Sequence, residues 1–379
     1  MGRKSFWYYW LLLTGVLILA GVACEEGTPG PTAEGRAVAT PVPTPASAIL
    51  PNLLIQTEGQ VALRRLDWYD YRPAPFGVEL QPGDLLRIGP GGRALIFCGE
   101  IGILDQNPIP MGEGDHQPIP CSSWRPIPLE DLAPPRGGLE SIPYVIFPRA
   151  TRLLNPRPTL RWHLLTGITT YTVSIRGREG IVASAQVQGN VWPYPSHLPP
   201  LSPGESYQVI VEANGYSSEE DPTPWTGFTL LSEEEAAAVH RLRERLEALP
   251  LEESARRLLT VHLYTAYELR GEALELLQGD ALIQQEPVPA RLLADLYFDT
   301  ALYDEAWTAY QQALQRAEQW GDSEGVGLAL VGLGLTSHHL GDTASAVRFL
   351  EQAKAFFEAL GDRRRTERIE EILQGLQGP

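Results

Sequence analysis

A chain of 379 residues with 43% apolar side chains is long enough for two or three domains and too apolar to be disordered throughout. Its formal net charge of −17 is unevenly spread, with 26 acidic against 14 basic side chains in residues 233–379. An acidic half of this kind excludes nucleic acid as its partner, because phosphates require a basic face.

Residues 1–24 open with Arg3 and Lys4, continue with an uninterrupted apolar run from Phe6 to Ala23, and end at Cys24. A basic start, an apolar stretch and a small-residue cleavage site together predict a secretory signal. Cys24 after Gly21-Val22-Ala23 resembles the lipobox of bacterial lipoproteins, whose cysteine carries the lipid, although Gly21 stands where that family usually has Leu. The alternative is an uncleaved apolar anchor helix. Either way the basic residues stay inside and the rest of the chain lies outside the cytoplasmic membrane. Residues 25–48, rich in Pro, Thr, Ala and Gly, read as an extended tether.

Residues 49–142 form a first β segment. Gly59-Gln-Val61-Ala-Leu63 alternates as a half-buried strand, and Gly83-Asp84 reads as a turn between strands. The order Gly59-x-Val61, then Gly77 through Leu80, then Gly83-Asp84, then a strand ending at Gly99 resembles the FecR domain, an extracytoplasmic β module. Members of that family control a sigma factor through a cytoplasmic amino-terminal part. Only five residues precede the apolar run here, so the regulatory role is not expected to carry over. With Cys24 assigned to lipid, Cys98 and Cys121 are left as a disulfide pair suited to an oxidising location. Free thiols are one alternative. A metal site with Asp115 and His116 is another, although it lacks the close Cys or His pair of zinc sites. Gly89-Pro-Gly-Gly92 reads as a turn, since no Lys-Ser/Thr follows to make a phosphate cradle.

Residues 143–231 carry a second set of period-two runs at regular intervals, the pattern of a small antiparallel sandwich. Trp162 on an early strand and Leu201-Ser-Pro-Gly204-Glu-Ser-Tyr207 before a late one resemble fibronectin type III and related immunoglobulin-like modules. Trp162 and Tyr207 are expected in the core. Trp192, Tyr194 and Trp225 lie beside prolines, either as ordinary hydrophobic contacts or as an exposed stacking platform for sugar.

Residues 232–379 change to period 3.6. Ser232 followed by three glutamates starts a helix, and Val239, Leu242, Leu246 and Leu249 give it one apolar stripe before Pro250. Two copies of one pattern follow. Ala290-x2-Leu293-Ala294-x2-Tyr297 with Ala306-x3-Tyr310-x2-Ala313 returns forty residues later as Leu330-x2-Leu333-Gly334-x2-Ser337 with Ala346-x3-Leu350-x2-Ala353. This resembles the tetratricopeptide repeat (TPR), a helix–turn–helix unit with small residues where paired helices touch. Leu269-Arg-Gly-Glu-Ala273 suggests a degenerate earlier copy, and Asp362 to Leu376 a charged capping helix. The resemblance implies a concave groove that binds a partner, faced by Arg291, Asp295 and Phe298 from one repeat and by Val331, Leu335 and His338 from the next. Asp299 lies beside the first set. Val331 and Leu335 fit equally well as core between repeats.

No Gly-x-Ser-x-Gly elbow, His-Glu-x-x-His, phosphate loop or calcium loop is present. The expectation is therefore a multidomain fold: all-β modules, one FecR-like and one sandwich, followed by an all-α repeat domain. Its activity is expected to be non-catalytic, without cofactor or metal, binding an envelope protein or peptide and held to the membrane by lipid. The alternative is a cell-wall polysaccharide-binding protein that works through the β modules.

Overall fold

The computed structural model describes residues 50–122, 141–223, 225–278 and 285–376. The signal, Cys24 and the tether lie outside the described residues. Residues 50–230 are β-rich, and eight helices follow among the described residues, from Glu233 to Leu376. The expected fold class is the observed one.

The first sheet has the order β3-β2-β5-β1-β4, with β6 also pairing β5. Its strands are β1 (Asn52–Glu58), β2 (Val61–Arg64), β3 (Arg72–Pro73), β4 (Glu79–Leu80), β5 (Leu85–Phe97) and β6 (Ile109–Pro118). Every pairing is antiparallel. Strand β5 is long enough to pair β2 with its first half and β1 with its second. Gly89 to Gly92, expected as a turn, lies inside this strand as a bulge. Gly91 has φ +70°, and the register against β6 slips between Ile88 and Arg93. Glycine tolerates that backbone, so the strand bends without ending. The expected turn at Gly83-Asp84 does precede β5, with the Asp84 carboxylate accepting the Gln81 N–H at 2.8 Å. Cys98 and Cys121 are buried and bonded, their Cα atoms 5.3 Å apart. Cross-linking a loop of this length stabilises a fold by about 3 kcal/mol.

The second β segment forms two sheets over one core. One sheet is β12-β9-β7 and the other β11-β10-β13-β15-β8, with β14 on β13. The strands are β7 (Val145–Phe147), β8 (Thr151–Leu153), β9 (Thr159–Trp162), β10 (Thr170–Gly177), β11 (Gly180–Gln188), β12 (Val191–Pro193), β13 (Ser206–Ala213), β14 (Tyr216–Ser217) and β15 (Phe228–Leu230). Trp162 is fully buried against Tyr171, and Tyr207 stacks on Phe228 while its hydroxyl accepts the Ser202 N–H. Of the two readings of Trp192, Tyr194 and Trp225, ordinary hydrophobic contact holds for the first two, which belong to this core and form no exposed platform. Of that trio only Trp225 is open, at 48% exposure. The other two sit at inward positions, where a large apolar ring gains more from burial than from the surface.

The helices are α1 (Glu233–Glu247), α2 (Glu253–Ala266), α3 (Arg270–Gln278), α4 (Pro287–Asp299), α5 (Tyr303–Trp320), α6 (Ser323–His339), α7 (Thr343–Leu360) and α8 (Arg363–Leu376). Ser232 and Glu235 close the capping box of α1. The breaks after α5, α6 and α7 share one chemistry. Gly321, Gly341 and Gly361 take positive φ, and the aspartate after each accepts a backbone N–H three residues on. Glycine supplies the left-handed stop and aspartate the next cap.

Candidate partner-binding face of the repeats

Helices α4 with α5, and α6 with α7, are the two copies seen in the sequence. Their small landmarks lie where helices touch: Ala294, Ala306, Ala346 and Ala353 are fully buried. A side chain at Gly334 would come within 2.7 Å of Leu350. At Gly332 it would enter the ring of Tyr310, so α6 accepts its neighbours only because it carries glycine there. Helix α6 is consequently buried on nearly every side.

That burial changes the expected groove wall. Phe298 is 7% exposed, packed edge-on to Tyr303 and His339, and Leu335 is buried to the same degree in the same core. Neither lines an open groove. Val331 is core as well. Helical counting assumes an open superhelix, whereas this short array folds its own aromatic rings over the central helix. Arg291 and Asp295 form an ion pair within α4, and Asp295 also accepts the Tyr310 hydroxyl at 2.8 Å. The pair therefore stitches α4 to α5. Burial opposes the Arg291 charge, but Asp295 and Glu79 outweigh it and hold the guanidinium protonated. His338 is half-buried beside His339. Asp299 is exposed, with Arg270 at 3.9 Å. Asp295, Asp299 and His338 thus keep surface, while Phe298 and Leu335 do not.

Both β segments grip the ends of these helices. Arg65, from the segment after β2, makes a bidentate pair with Glu324 at 2.8 and 2.7 Å and a third contact to Asp84 at 2.8 Å. Arg365 joins Glu324 at 2.7 Å and Asp362 at 2.6 Å. Burial alone would raise the Glu324 carboxyl, but the Arg65 and Arg365 guanidiniums outweigh it and hold it down at about 2. Trp68 is buried and donates to Asp362, and the Tyr69 N–H reaches the Leu360 carbonyl. These contacts fall on the α5–α6 and α7–α8 turns, which lie on one edge of the array.

The second β segment holds the other edge. Arg149, with no side-chain exposure, donates to the Thr300 carbonyl in the α4–α5 turn at 2.8 Å and pairs with Asp221 at 2.6 Å. Tyr144 donates to Glu305 at the start of α5, and Arg152 pairs with Glu235 of α1. Arg65, Glu324, Arg365, Arg149 and Arg152 were not singled out in the sequence, and no local pattern marks a pair 259 positions apart. The Gly-Asp dipeptides at twenty-residue spacing are the one legible trace, since they place the turns to which Arg65 and Trp68 attach.

A tetratricopeptide repeat family model matches residues 288–359, from the first turn of α4 to the end of α7. Repeats of this kind mediate protein–protein interaction. A search among curated proteins finds no match to the chain. Among the described residues no group of three His, Cys, Asp or Glu side chains is placed to hold a metal, and no helix is long and apolar enough to cross a membrane.

Proposed function

We propose that this chain is a lipid-anchored envelope protein that acts by binding, not catalysis, and that its helical repeats hold a protein or peptide partner. The observation that carries this reading is the forty-residue repeat, together with its match to the tetratricopeptide model. Arg3, Lys4, the apolar run and Cys24 support the location, and the Cys98–Cys121 bond suits an oxidising compartment. Within this reading the FecR-like and immunoglobulin-like segments brace the array from its two edges and present its face to the partner. The binding face is the strip that keeps surface between them, with Asp295, Asp299 and His338 on it. Its acidic character suits a basic or polar segment.

The test uses the full chain, expressed with its own amino terminus and fed an alkyne-tagged fatty acid. Label on the wild type and none on Cys24→Ala supports the anchor; equal labelling overturns it. Crosslinking in the same cells followed by purification then reports the partner. Asp299→Lys, on the surface and outside the core, is expected to deplete one crosslinked species while the protein level stays constant. An unchanged crosslinking pattern places the binding face elsewhere.

A further inference from the structure

Strand β11 (Gly180–Gln188) is the outer strand of its sheet and pairs with β10 alone among the described residues. An outer strand turns alternate N–H and C=O groups away from the sheet, where a further strand can bond them. Proteins guard such edges by keeping them short or by placing proline or charge on them. The other outer strands among the described residues follow that rule. β3, β4 and β14 are two residues long, the first carrying Arg72 and the second Glu79. β6 carries Pro110, Glu113, Asp115 and Pro118, β12 ends at Pro193, and β7 and β8 are three residues each. β11 has none of these guards. It runs nine residues, Gly-Ile-Val-Ala-Ser-Ala-Gln-Val-Gln, with no proline and no charge. Its Ala183, Ala185 and Val187 pack on the sandwich core, while Ile181 is 53% exposed and Val182 43%. An open groove of about 510 Å³ lies beside it, lined also by Trp192, Pro195 and Leu198.

The occupant that this edge fits is a second copy of itself. A two-fold axis brings the same strand back running the opposite way, so an antiparallel pair needs no other sequence. One register overlaps all nine residues, and it sets Ser184 opposite Ser184 and Ala183 opposite Ala185. A charged residue at the axis would face its own like charge there, and β11 carries none. The chain as a whole has a net charge of −17, so two copies repel unless they meet on an uncharged surface. A foreign segment would be drawn to this chain by basic charge, which an uncharged strand does not attract. We propose that β11 is a self-pairing edge, along which two copies of the chain join antiparallel into one continuous sheet. The partner strand's core-side residues then cover the groove beside Trp192. A strand pair is a small interface, so the dimer is expected to be micromolar and reversible.

The test is sedimentation velocity of the full chain in detergent, from about 1 to 100 µM. A dimer that grows with concentration is expected. Ser184→Lys and Ser184→Glu each set two like charges face to face at the axis, and each should weaken the dimer about tenfold or more. An equal mixture of the two variants sets Lys against Glu and should recover most of the association. Ser184 is exposed, and an edge strand tolerates charge, so thermal melts of both variants should superimpose on the wild type. A monomer at every concentration overturns the proposal. So does a dimer that Ser184→Lys leaves intact, or a mixture that associates no better than either variant alone. Failure here leaves the partner-binding role of the repeats standing, since β11 lies outside them.

Discussion

Glu272, at the start of α3, shows how one buried acid is set by its surroundings. Its Oε1 accepts the Leu154 N–H at 2.8 Å, and its Oε2 has no hydrogen-bond partner among the described residues. Burial pushes its carboxyl from 4.5 up to about 7, only partly offset by that hydrogen bond. The folded state therefore favours the protonated form. Its contribution is fully present below about pH 4.5, falls as pH rises, and is gone above about pH 7. Urea unfolding at pH 5 and pH 8 should differ by up to about 3 kcal/mol from this group, more stable at the lower pH. Glu272→Gln keeps the acceptor, removes the charge and should flatten that part of the profile; an unchanged profile would sink the assignment. Glu324 is the opposite case at the same scale. Two guanidiniums keep it ionised, so its contribution is lost only as pH falls from about 4.5 towards 2. No feature of the sequence separates these two glutamates. Burial and neighbours do.

At the scale of elements, α6 is the one whose sequence looks least like a helix and whose position explains it. Gly325, Gly327, Gly332 and Gly334 cost helical propensity, up to about 1 kcal/mol each relative to Ala. They are kept because Asp322, Phe357, Tyr310 and Leu350, in that order, occupy the space their side chains would need. Gly332→Val is the sharpest probe. The new side chain meets the Tyr310 ring and drives its hydroxyl off Asp295, so denaturant unfolding should show a loss of about 3 kcal/mol. A loss below about 0.5 kcal/mol, the range of ordinary surface changes, would mean that Tyr310 packs elsewhere. The forty-residue spacing made these contacts partly legible, because small landmarks mark helix contacts whatever the neighbours are. The groove residues were less so. Phe298 and Leu335 occupy register positions that face outward in a long superhelix, and only the aromatic packing of this short array encloses them.

For the whole molecule, the β segments and the helices read as separate modules in sequence but share their cores. Leu50, Leu53, Ile55 and Phe97 of the first β segment lie in one apolar cluster with Leu246, Leu258, Leu259 and Leu263 of α1 and α2. Val288 of α4 is buried in the core of that sheet. The described residues within Pro43–Pro379 belong to one compact unit accordingly. A fragment of residues 233–379 would expose this surface and leave Glu324 and Arg365 without Arg65. It should bind a hydrophobic dye and lack a cooperative unfolding transition, while the full chain does neither. Cooperative unfolding of the fragment at the full-chain midpoint would show that the interface contributes nothing.

The sequence by itself determined which part of the chain is β-rich and which is helical, though it read Gly89 to Gly92 as a turn where β5 runs through. The start of α1 and the repeat spacing were legible there too, while Cys98 with Cys121 was one of three readings of those cysteines, which the structure decided. Periodicity, caps and cysteine count are local or countable properties of the chain. Tertiary structure alone decided that Arg65 meets Glu324, that Arg149 ties the sandwich to the α4–α5 turn, and that Trp225 stays open while Trp192 is buried. Those outcomes depend on which surfaces remove each other from water and which charges are thereby forced to pair. Such choices are made between residues hundreds of positions apart, and no short pattern records them.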